Sequence, residues 1–219
     1  MSRLRKASRV WGDSGALEAA SRAMLSHDVE VFSVEPDAIF DRRAPLEIEI
    51  GAGKGDFILE YAAANPERNF LAIELSGTVA QLLATRCGRA KLPNVRVAKM
   101  DARTLVNLML PDRSVAAYHI YYPDPWPKER HIKHRMVSPY FVGNLSRTLQ
   151  SDGIVHCASD VPEWAAEIFA MLEGGGFSRT ESEPPGARRS GFGRKYIARG
   201  KPVHFASFEA PKVAGQNIR

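Results

Sequence analysis

Apolar residues recur along this chain in two spacings, short alternating runs typical of strands and longer stretches typical of helices. Residues 46–51 (LEIEIG) alternate and end at glycine, which predicts a strand. Residues 56–64 follow with helical spacing and stop before Asn65-Pro66, which predicts a helix. Further strands are predicted at 70–75, 95–100, 115–122, 153–158 and 203–208, and further helices at 78–91, 137–149 and 162–172. Strands that alternate with helices predict an α/β fold, a mostly parallel sheet with helices on both faces.

Composition limits the class of protein without identifying it. The 219 residues, 44% hydrophobic and 25% charged, suffice for one globular domain. Residues 1–40 are basic and weakly patterned, so we predict a partly flexible N-terminal arm (1–40) in front of a domain over 41–219. No apolar run approaches the about 20 residues of a membrane span, and the basic start lacks the apolar segment of a secretory signal. Cys87 and Cys157 lack metal-type spacing. These features predict a cytoplasmic protein with no membrane segment and no metal.

The first predicted strand leads into a glycine-rich turn. In parallel α/β sheets, ligands bind beyond the carboxyl ends of the strands. Gly51, Gly53 and Gly55 would let the backbone bend there and approach a ligand closely. A dinucleotide-binding turn usually has the spacing GxGxxG, whereas here the third glycine comes one residue early and Glu49 stands just before the turn. A carboxylate at that position repels a pyrophosphate but suits ammonium and sulfonium charges, so the turn favours S-adenosylmethionine.

Two more acidic residues follow neighbouring strands. Glu74 ends the second strand, where a carboxylate can accept hydrogen bonds from both ribose hydroxyls. Asp101 and Ala102 follow the third strand, where the edge of an adenine could be bound. For Asp101 by itself, capping of a helix is the simpler interpretation. Three acids at three strand ends together predict a cofactor site.

The segment 121–135 combines a rigid acid with positive charge. Pro123 and Pro125 fix the backbone on either side of Asp124, and Trp126 offers a face for stacking. The net charge of the chain is +5, and its basic residues are clustered. One cluster holds Lys128, Arg130, Lys133 and Arg135, and a second holds Arg188, Arg189, Arg194, Lys195, Arg199 and Lys201. Beside a stacking residue and a rigid acid, such clusters favour nucleic acid as the partner.

Several of these segments together resemble one known family. EIGAGKG from Glu49, IE at Glu74, DA at Asp101, PDPWPK around Asp124 and ASD ending at Asp160 are similar to bacterial tRNA (guanine-N7-)-methyltransferases. The resemblance covers roughly residues 46–208 and implies a Rossmann-like class I methyltransferase fold with a seven-stranded sheet. It also implies S-adenosylmethionine as cofactor, tRNA as partner and 7-methylguanosine in the variable loop of tRNA as product. We expect a monomer or a homodimer.

The resemblance also implies roles for individual residues. Glu49, Glu74, Asp101 and Asp124 would lie on the cofactor side, and Asp124 is the family's catalytic position. Lys128 and Asp160 would contact the target nucleotide. To these we add Gly51, Gly53, Gly55 and Ala102 on the cofactor side, and Arg130, Lys133, Ser190 and Arg194 on the substrate side.

One departure from the family keeps alternatives open. The family carries a Thr-x-x-Glu element near its C-terminal end, where this chain has Ser190 and Gly193 in a glycine-rich segment predicted to be a mobile loop. One alternative is therefore a catalytically weak homologue that binds tRNA. Another is a methyltransferase acting on a different base, because adenine amino-group methyltransferases carry a related proline-rich turn. A nicotinamide-dependent oxidoreductase is disfavoured by the glycine spacing and by Glu49. His119, His156 and Cys157 are predicted to pack in the core.

Overall fold

The chain folds as two compact units, Met1–Met109 and Leu110–Arg219. The computed structural model describes residues 14–25, 36–126, 130 and 135–212. The first unit contains α1 (Ser14–Ala23), α2 (Pro36–Phe40), β1 (Leu46–Ile50), α3 (Ile58–Ala64), β2 (Asn69–Glu74), α4 (Gly77–Arg89), β3 (Val95–Lys99) and α5 (Ala102–Thr104), which continues as a π-helical turn at Leu105–Met109. The second contains β4 (Val115–Tyr121), α6 (Pro139–Thr148), β5 (Leu149–Ser159), α7 (Pro162–Gly174), β6 (Ser178–Thr180), α8 (Gly191–Ile197) and β7 (His204–Glu209).

The seven strands, in the order β3-β2-β1 within the first unit and β4-β5-β7-β6 within the second, confirm the predicted fold class of a mostly parallel seven-stranded sheet. Within the first unit, β1 pairs with β2 and β2 with β3, both in parallel. Within the second unit, β4 and β5 are parallel, whereas β7 runs antiparallel to both β5 and β6. Every residue of β1 is buried, as expected of a strand inside a parallel sheet.

Part of the predicted N-terminal arm is a helix of the first unit. α1 packs against α4 and β3, and Ala20 and Ala23 are buried there. The chain directly after α1 also contacts β3, because the Leu25 amide donates to the Val97 carbonyl at 3.0 Å. The division into an arm and a domain at residue 40 stays a prediction.

The second unit has a polar pair inside its core. The rings of His119 and His156, opposite each other on β4 and β5, stack with centroids 5.1 Å apart. His119 Nδ1 lies 3.0 Å from the Tyr121 hydroxyl, and His156 Nδ1 lies 2.8 Å from Ser207 Oγ. Burial, helped by His119, lowers the pKa of His156 to about 2, so this ring stays neutral. The prediction that both histidines are core residues is confirmed, and Cys157 is buried beside them.

Gly55 combines a left-handed backbone conformation with a crowded Cβ position. Its φ is +78°, and a Cβ built there would overlap Cδ1 of the fully buried Leu83. Gly51 has a similar φ of +73°, but a Cβ at that position would meet no atom within 4 Å. Position 55 therefore needs glycine for both conformation and space, and position 51 for conformation alone.

We expect Gly55→Ala to destabilise the protein more than Gly51→Ala. Both variants place an alanine in the left-handed region, at a cost of about 1–2 kcal/mol. Gly55→Ala also overpacks the core, which typically adds about 1–3 kcal/mol. Urea denaturation of the two variants and the wild type measures the difference. Equal losses would mean that Leu83 moves aside without cost.

Candidate functional site

The turn after β1 is a glycine turn folded onto the end of β2. Gly51, Gly53 and Gly55 all have positive φ (73°, 56° and 78°). The amides of Gly51 and Ala52 both donate to the Ile73 carbonyl, at 2.9 and 3.0 Å. A side chain at any of the three glycines would strain this turn, which explains their spacing in the sequence.

Glu74, at the end of β2, is tied to the glycine turn. Its Oε2 accepts a hydrogen bond from the Gly53 amide at 3.0 Å, and its Oε1 accepts one from the Ser76 amide at 2.8 Å. These bonds fix the carboxylate, and each oxygen keeps a lone pair for a second donor. Such a carboxylate can accept hydrogen bonds from ribose hydroxyls, as the sequence predicts.

Glu49 is a buried carboxyl whose Oε2 has no hydrogen-bond partner among the described residues. The residue is 5% exposed. Burial raises the pKa of Glu49 well above its ordinary value, and the nearby charges of Asp56 and Glu74 raise it further. Asp56 itself pairs with Arg86, with 3.1 Å between Nη1 and Oδ1. A buried acid with an unused oxygen fits a cationic group such as an α-ammonium and does not fit a pyrophosphate.

Asp101 acts as the N-cap of α5. Its Oδ1 accepts from the Arg103 amide at 2.8 Å, and the Arg103 guanidinium donates to both carboxylate oxygens. Hydrogen bonding to Arg103 lowers the pKa of Asp101. The capping interpretation of this residue is thus confirmed. A contact from Asp101 or the adjoining, buried Ala102 to the cofactor stays a prediction.

In the second unit, the backbone on both sides of Asp124 is held in place. The Trp164 indole Nε1 donates to the Pro123 carbonyl at 3.2 Å, and Arg135 Nε donates to the Pro125 carbonyl at 2.9 Å. The Arg135 guanidinium lies over the Trp164 ring, 4.5 Å from its centroid. One arginine stacked on one tryptophan therefore fixes the loop that presents the exposed Asp124 carboxylate.

The same loop is strained at its two ends. Tyr122 has a φ of +55° and Trp126 a φ of +41°, conformations that bulky residues seldom adopt. Such strain persists only where surrounding contacts over-determine the backbone, and it is concentrated at functional sites. The prolines between these residues are thus only part of what makes the segment rigid.

Arg135 corrects the sequence interpretation of the basic run. The sequence assigned it to RNA binding together with its basic neighbours. In the structure its guanidinium bonds to the Pro125 carbonyl, stacks on Trp164 and forms an ion pair with Glu167. The last arginine of the run therefore supports the loop of Asp124.

Two consecutive tyrosines connect the end of β4 to the segment before α8. The Tyr121 hydroxyl accepts from the Gly186 amide at 3.1 Å, and the Tyr122 hydroxyl donates to the Ala187 carbonyl. Ser190 then caps α8, its Oγ accepting from the Gly193 amide at 3.0 Å. The prediction of a mobile loop at Ser190 is therefore wrong. This stretch is a capped helix, and the segment before it is hydrogen-bonded to the tyrosines at the end of β4.

Gly193 is closed in by backbone. A Cβ built there would overlap the Ala187 carbonyl oxygen and lie 3.0 Å from the Arg188 carbonyl carbon. A glutamate at this position would require the preceding segment to move. The local packing around position 193 therefore accommodates the glycine of this chain but not the glutamate of the Thr-x-x-Glu element.

The remaining predicted substrate residues are placed as follows. Arg130 and Arg194 are exposed, and Asp160 interacts with the Tyr196 hydroxyl. Burial, and then Asp160, raise the pKa of Tyr196. Lys128 and Lys133 lie outside the described residues. Sequence reasoning missed the supporting roles of Trp164, Arg135 and the tyrosine pair, although two tyrosines directly before the proline motif were a signal.

Neither a metal centre nor a spanning helix is found in the part of the chain that the structure describes. No group of three or more histidine, cysteine, aspartate or glutamate side chains there could hold a metal ion. In the same ranges, no helix has the length and apolar character to cross a bilayer.

We expect the difference in melting temperature between Glu49→Gln and the wild type to rise with pH. The folded-state pKa of Glu49 lies above its unfolded value, so the unfolded carboxyl ionises first and wild-type stability falls across the interval between them. Glutamine does not titrate, so the variant escapes this loss. Thermal unfolding of ligand-free protein over a pH series measures the effect.

Glu181→Gln is the control, because Glu181 is an exposed glutamate of the second unit. It should track the wild type at every pH. A Glu49→Gln curve that stays parallel to the wild type would contradict the raised pKa. S-adenosylhomocysteine added near neutral pH should stabilise the wild type more than Glu49→Gln, because its ammonium would lack a carboxylate partner in the variant.

Comparison with known proteins agrees with this geometry. Residues 43–203 match the family described as "Putative methyltransferase". A tRNA (guanine-N(7)-)-methyltransferase of Psychromonas ingrahamii is 36% identical over 162 residues, or 74% of this chain and 67% of the relative. The enzyme of the same name from Nitrosococcus oceani is 38% identical over 195 residues, 85% of this chain and 82% of the relative.

Among solved structures, the 16S rRNA methyltransferase KamB superposes with a TM-score of 0.62 at 14% sequence identity. The match covers 86% of this chain and 99% of that one, and it shows that the fold is that of the class I methyltransferases. The sequence relatives go further, because they are 36% and 38% identical over most of this chain. The chain belongs to the bacterial tRNA (guanine-N(7)-)-methyltransferase family.

Proposed function

We propose that this protein transfers the methyl group of S-adenosylmethionine to N7 of a guanine in the variable loop of tRNA. The observation that carries the proposal is the buried Glu49 carboxyl, whose unpartnered oxygen lies beside the glycine turn of a chain belonging to this family. Its surroundings favour a ligand with positive charge, and S-adenosylmethionine carries both an ammonium and a sulfonium.

The first unit supplies the groups that bind the cofactor. Glu49 would accept from the ammonium, and Glu74, fixed by two backbone amides, would accept from the ribose hydroxyls. Asp101 and Ala102 would border the adenine. Glu49, Asp56 and Glu74 interact electrostatically, and this concentration of acids argues against a nicotinamide dinucleotide.

The second unit supplies the groups for the base. Guanine N7 carries a free lone pair, so its attack on the methyl carbon requires no proton to be removed. The N7–carbon bond forms as the sulfur–carbon bond breaks, and S-adenosylhomocysteine leaves. Catalysis then depends on holding both reactants in line.

Asp124 or Asp160 would accept from N1–H and the exocyclic amine of the guanine, because N7 and O6 are both acceptors. Positive charge moves from sulfur to the base during transfer, and a nearby carboxylate stabilises it. The rigid loop of Asp124 supports this role, since a fixed carboxylate needs no reorganisation as the charge develops.

Basic side chains of the second unit would bind the phosphates. Arg130 and Arg194 are exposed, and Lys128 and Lys133 belong to the same proposal from their sequence positions. Such contacts make affinity fall with rising salt. Arg188 pairs with Glu183 at 2.8 Å and is left out of the proposal. A cytoplasmic location and a monomeric or homodimeric state complete the proposal.

The direct test is transfer of labelled methyl groups from S-adenosylmethionine to unmodified tRNA transcripts, followed by reduction and aniline cleavage at 7-methylguanosine. We expect a single cut in the variable loop. Label without that cut would mean that another base or atom is methylated. Binding of tRNA and cofactor without label would identify a homologue that has lost transfer.

Asp124→Asn should lower the turnover number much more than the affinity for tRNA. The amide keeps the size of the side chain but lacks the charge that stabilises the developing cation, a loss of about 10²–10³-fold for a comparable electrostatic group. Asp152→Asn, at an exposed aspartate of β5, is the matched control and should change neither quantity. Equal losses in turnover and affinity for Asp124→Asn would refute the catalytic role.

A further inference from the structure

Three aromatic rings of the second unit form a cluster that is open to solvent. The Tyr122 ring lies 5.9 Å from that of Phe192 and 5.7 Å from that of Tyr196, between centroids. Phe192 and Tyr196 lie near-parallel, 6.1 Å apart with 22° between their planes. Phe192 is 52% exposed, so its ring is not explained by core packing. We call Tyr122, Phe192 and Tyr196 the aromatic cluster.

Lysine side chains accompany these rings. Lys195 Nζ lies 5.8 Å from the centroid of Phe192 and 5.7 Å from that of Tyr196. Lys201 Nζ lies 5.7 Å from the centroid of Tyr196. Aromatic rings with the ammonium groups of flexible lysine side chains over them match the two parts of a nucleotide, a base that stacks and a phosphate that carries charge.

The position of the aromatic cluster ties it to the residues proposed for the guanine. Tyr122 directly precedes the Pro123–Pro125 turn that carries Asp124, and its hydroxyl bonds to the Ala187 carbonyl. Tyr196 interacts through its hydroxyl with Asp160. A base lying on the aromatic cluster would therefore be held beside a carboxylate.

A second copy of the chain is disfavoured as the occupant. Self-association through this face would bring Lys195 and Lys201 of two molecules close together, and like charges repel. An RNA strand has the complementary charge.

We propose that the aromatic cluster is a stacking platform for an unpaired base of the RNA substrate, with Lys195 and Lys201 contacting its phosphates. The choice of RNA as the ligand rests on the proposed function. The platform adds a sequence-tolerant contact, because every base has a face that can stack.

The test compares substitutions of Phe192 in the full chain. Phe192→Leu keeps an apolar side chain without an aromatic face, and Phe192→Trp keeps the face. The probes are a short single-stranded RNA and the same sugar–phosphate chain without bases, bound at fixed salt. We expect Phe192→Leu to bind the RNA about tenfold or more weakly and Phe192→Trp to match the wild type. Neither should alter binding of the abasic chain.

Tyr140→Leu is the matched control, since Tyr140 is an exposed aromatic residue elsewhere in the second unit. It should bind both probes as the wild type does. Wild-type affinity for RNA in Phe192→Leu, or an equal loss for the abasic chain, would overturn the platform. Lys201→Gln should lower the slope of log affinity against log salt by about one, in keeping with one lost phosphate contact.

Fluorescence of 2-aminopurine placed at the methylated position, or at its neighbours in tRNA, locates the stacked base. Quenching that Phe192→Leu abolishes at one of these positions supports the platform and identifies the base. Quenching unchanged by the substitution at every position overturns it. A wild type that methylates tRNA while Phe192→Leu binds normally refutes the platform alone. A wild type that binds RNA through Phe192 but transfers no methyl group refutes the proposed function alone.

Discussion

The buried carboxyl of Glu49, one oxygen of which has no hydrogen-bond partner among the described residues, is the constraint on which the proposed cofactor site of the first unit depends. Burying Glu49 opposes its ionisation, and Asp56 and Glu74 oppose it further. A fold retains such a group at a cost in stability when a ligand supplies the missing charge. The glycine turn makes this possible, because its backbone satisfies Glu74 and leaves Glu49 Oε2 unbonded among the described residues.

In the second unit the important property is the rigidity of the loop that carries Asp124, whereas in the first unit it is the charge around Glu49. Asp124 is exposed, so its own side chain does not anchor the loop, and other contacts must hold it in place. Two prolines restrict the chain, Trp164 and Arg135 hold the carbonyls on either side, and Tyr122 and Trp126 lie in left-handed conformations. Each restriction is modest, but all of them act on the same short segment. A reaction that requires alignment and no proton transfer benefits from this arrangement.

The absence of the family's glutamate is accompanied by a change in packing. Gly193 lets α8 approach the 186–188 segment so closely that no side chain fits between them. Ser190 still caps the helix, and the tyrosine hydroxyls hold the preceding segment to the end of β4. The helix then presents Phe192 and Tyr196 instead of a carboxylate.

The sequence by itself determined the positions of six of the seven strands along the chain, the glycine turn and the acids at the strand ends, because period-two and helical spacing and glycine positions are local properties. It also identified the family, because the Pro-Asp-Pro-Trp segment is specific. It missed β6, which has three residues, and α8, where glycines suggested a loop. Only the tertiary structure decided that Arg135 supports a backbone turn, that Glu49 Oε2 is unbonded among the described residues and that Gly193 is enclosed. Each depends on residues distant in sequence, and no local pattern specifies such neighbours.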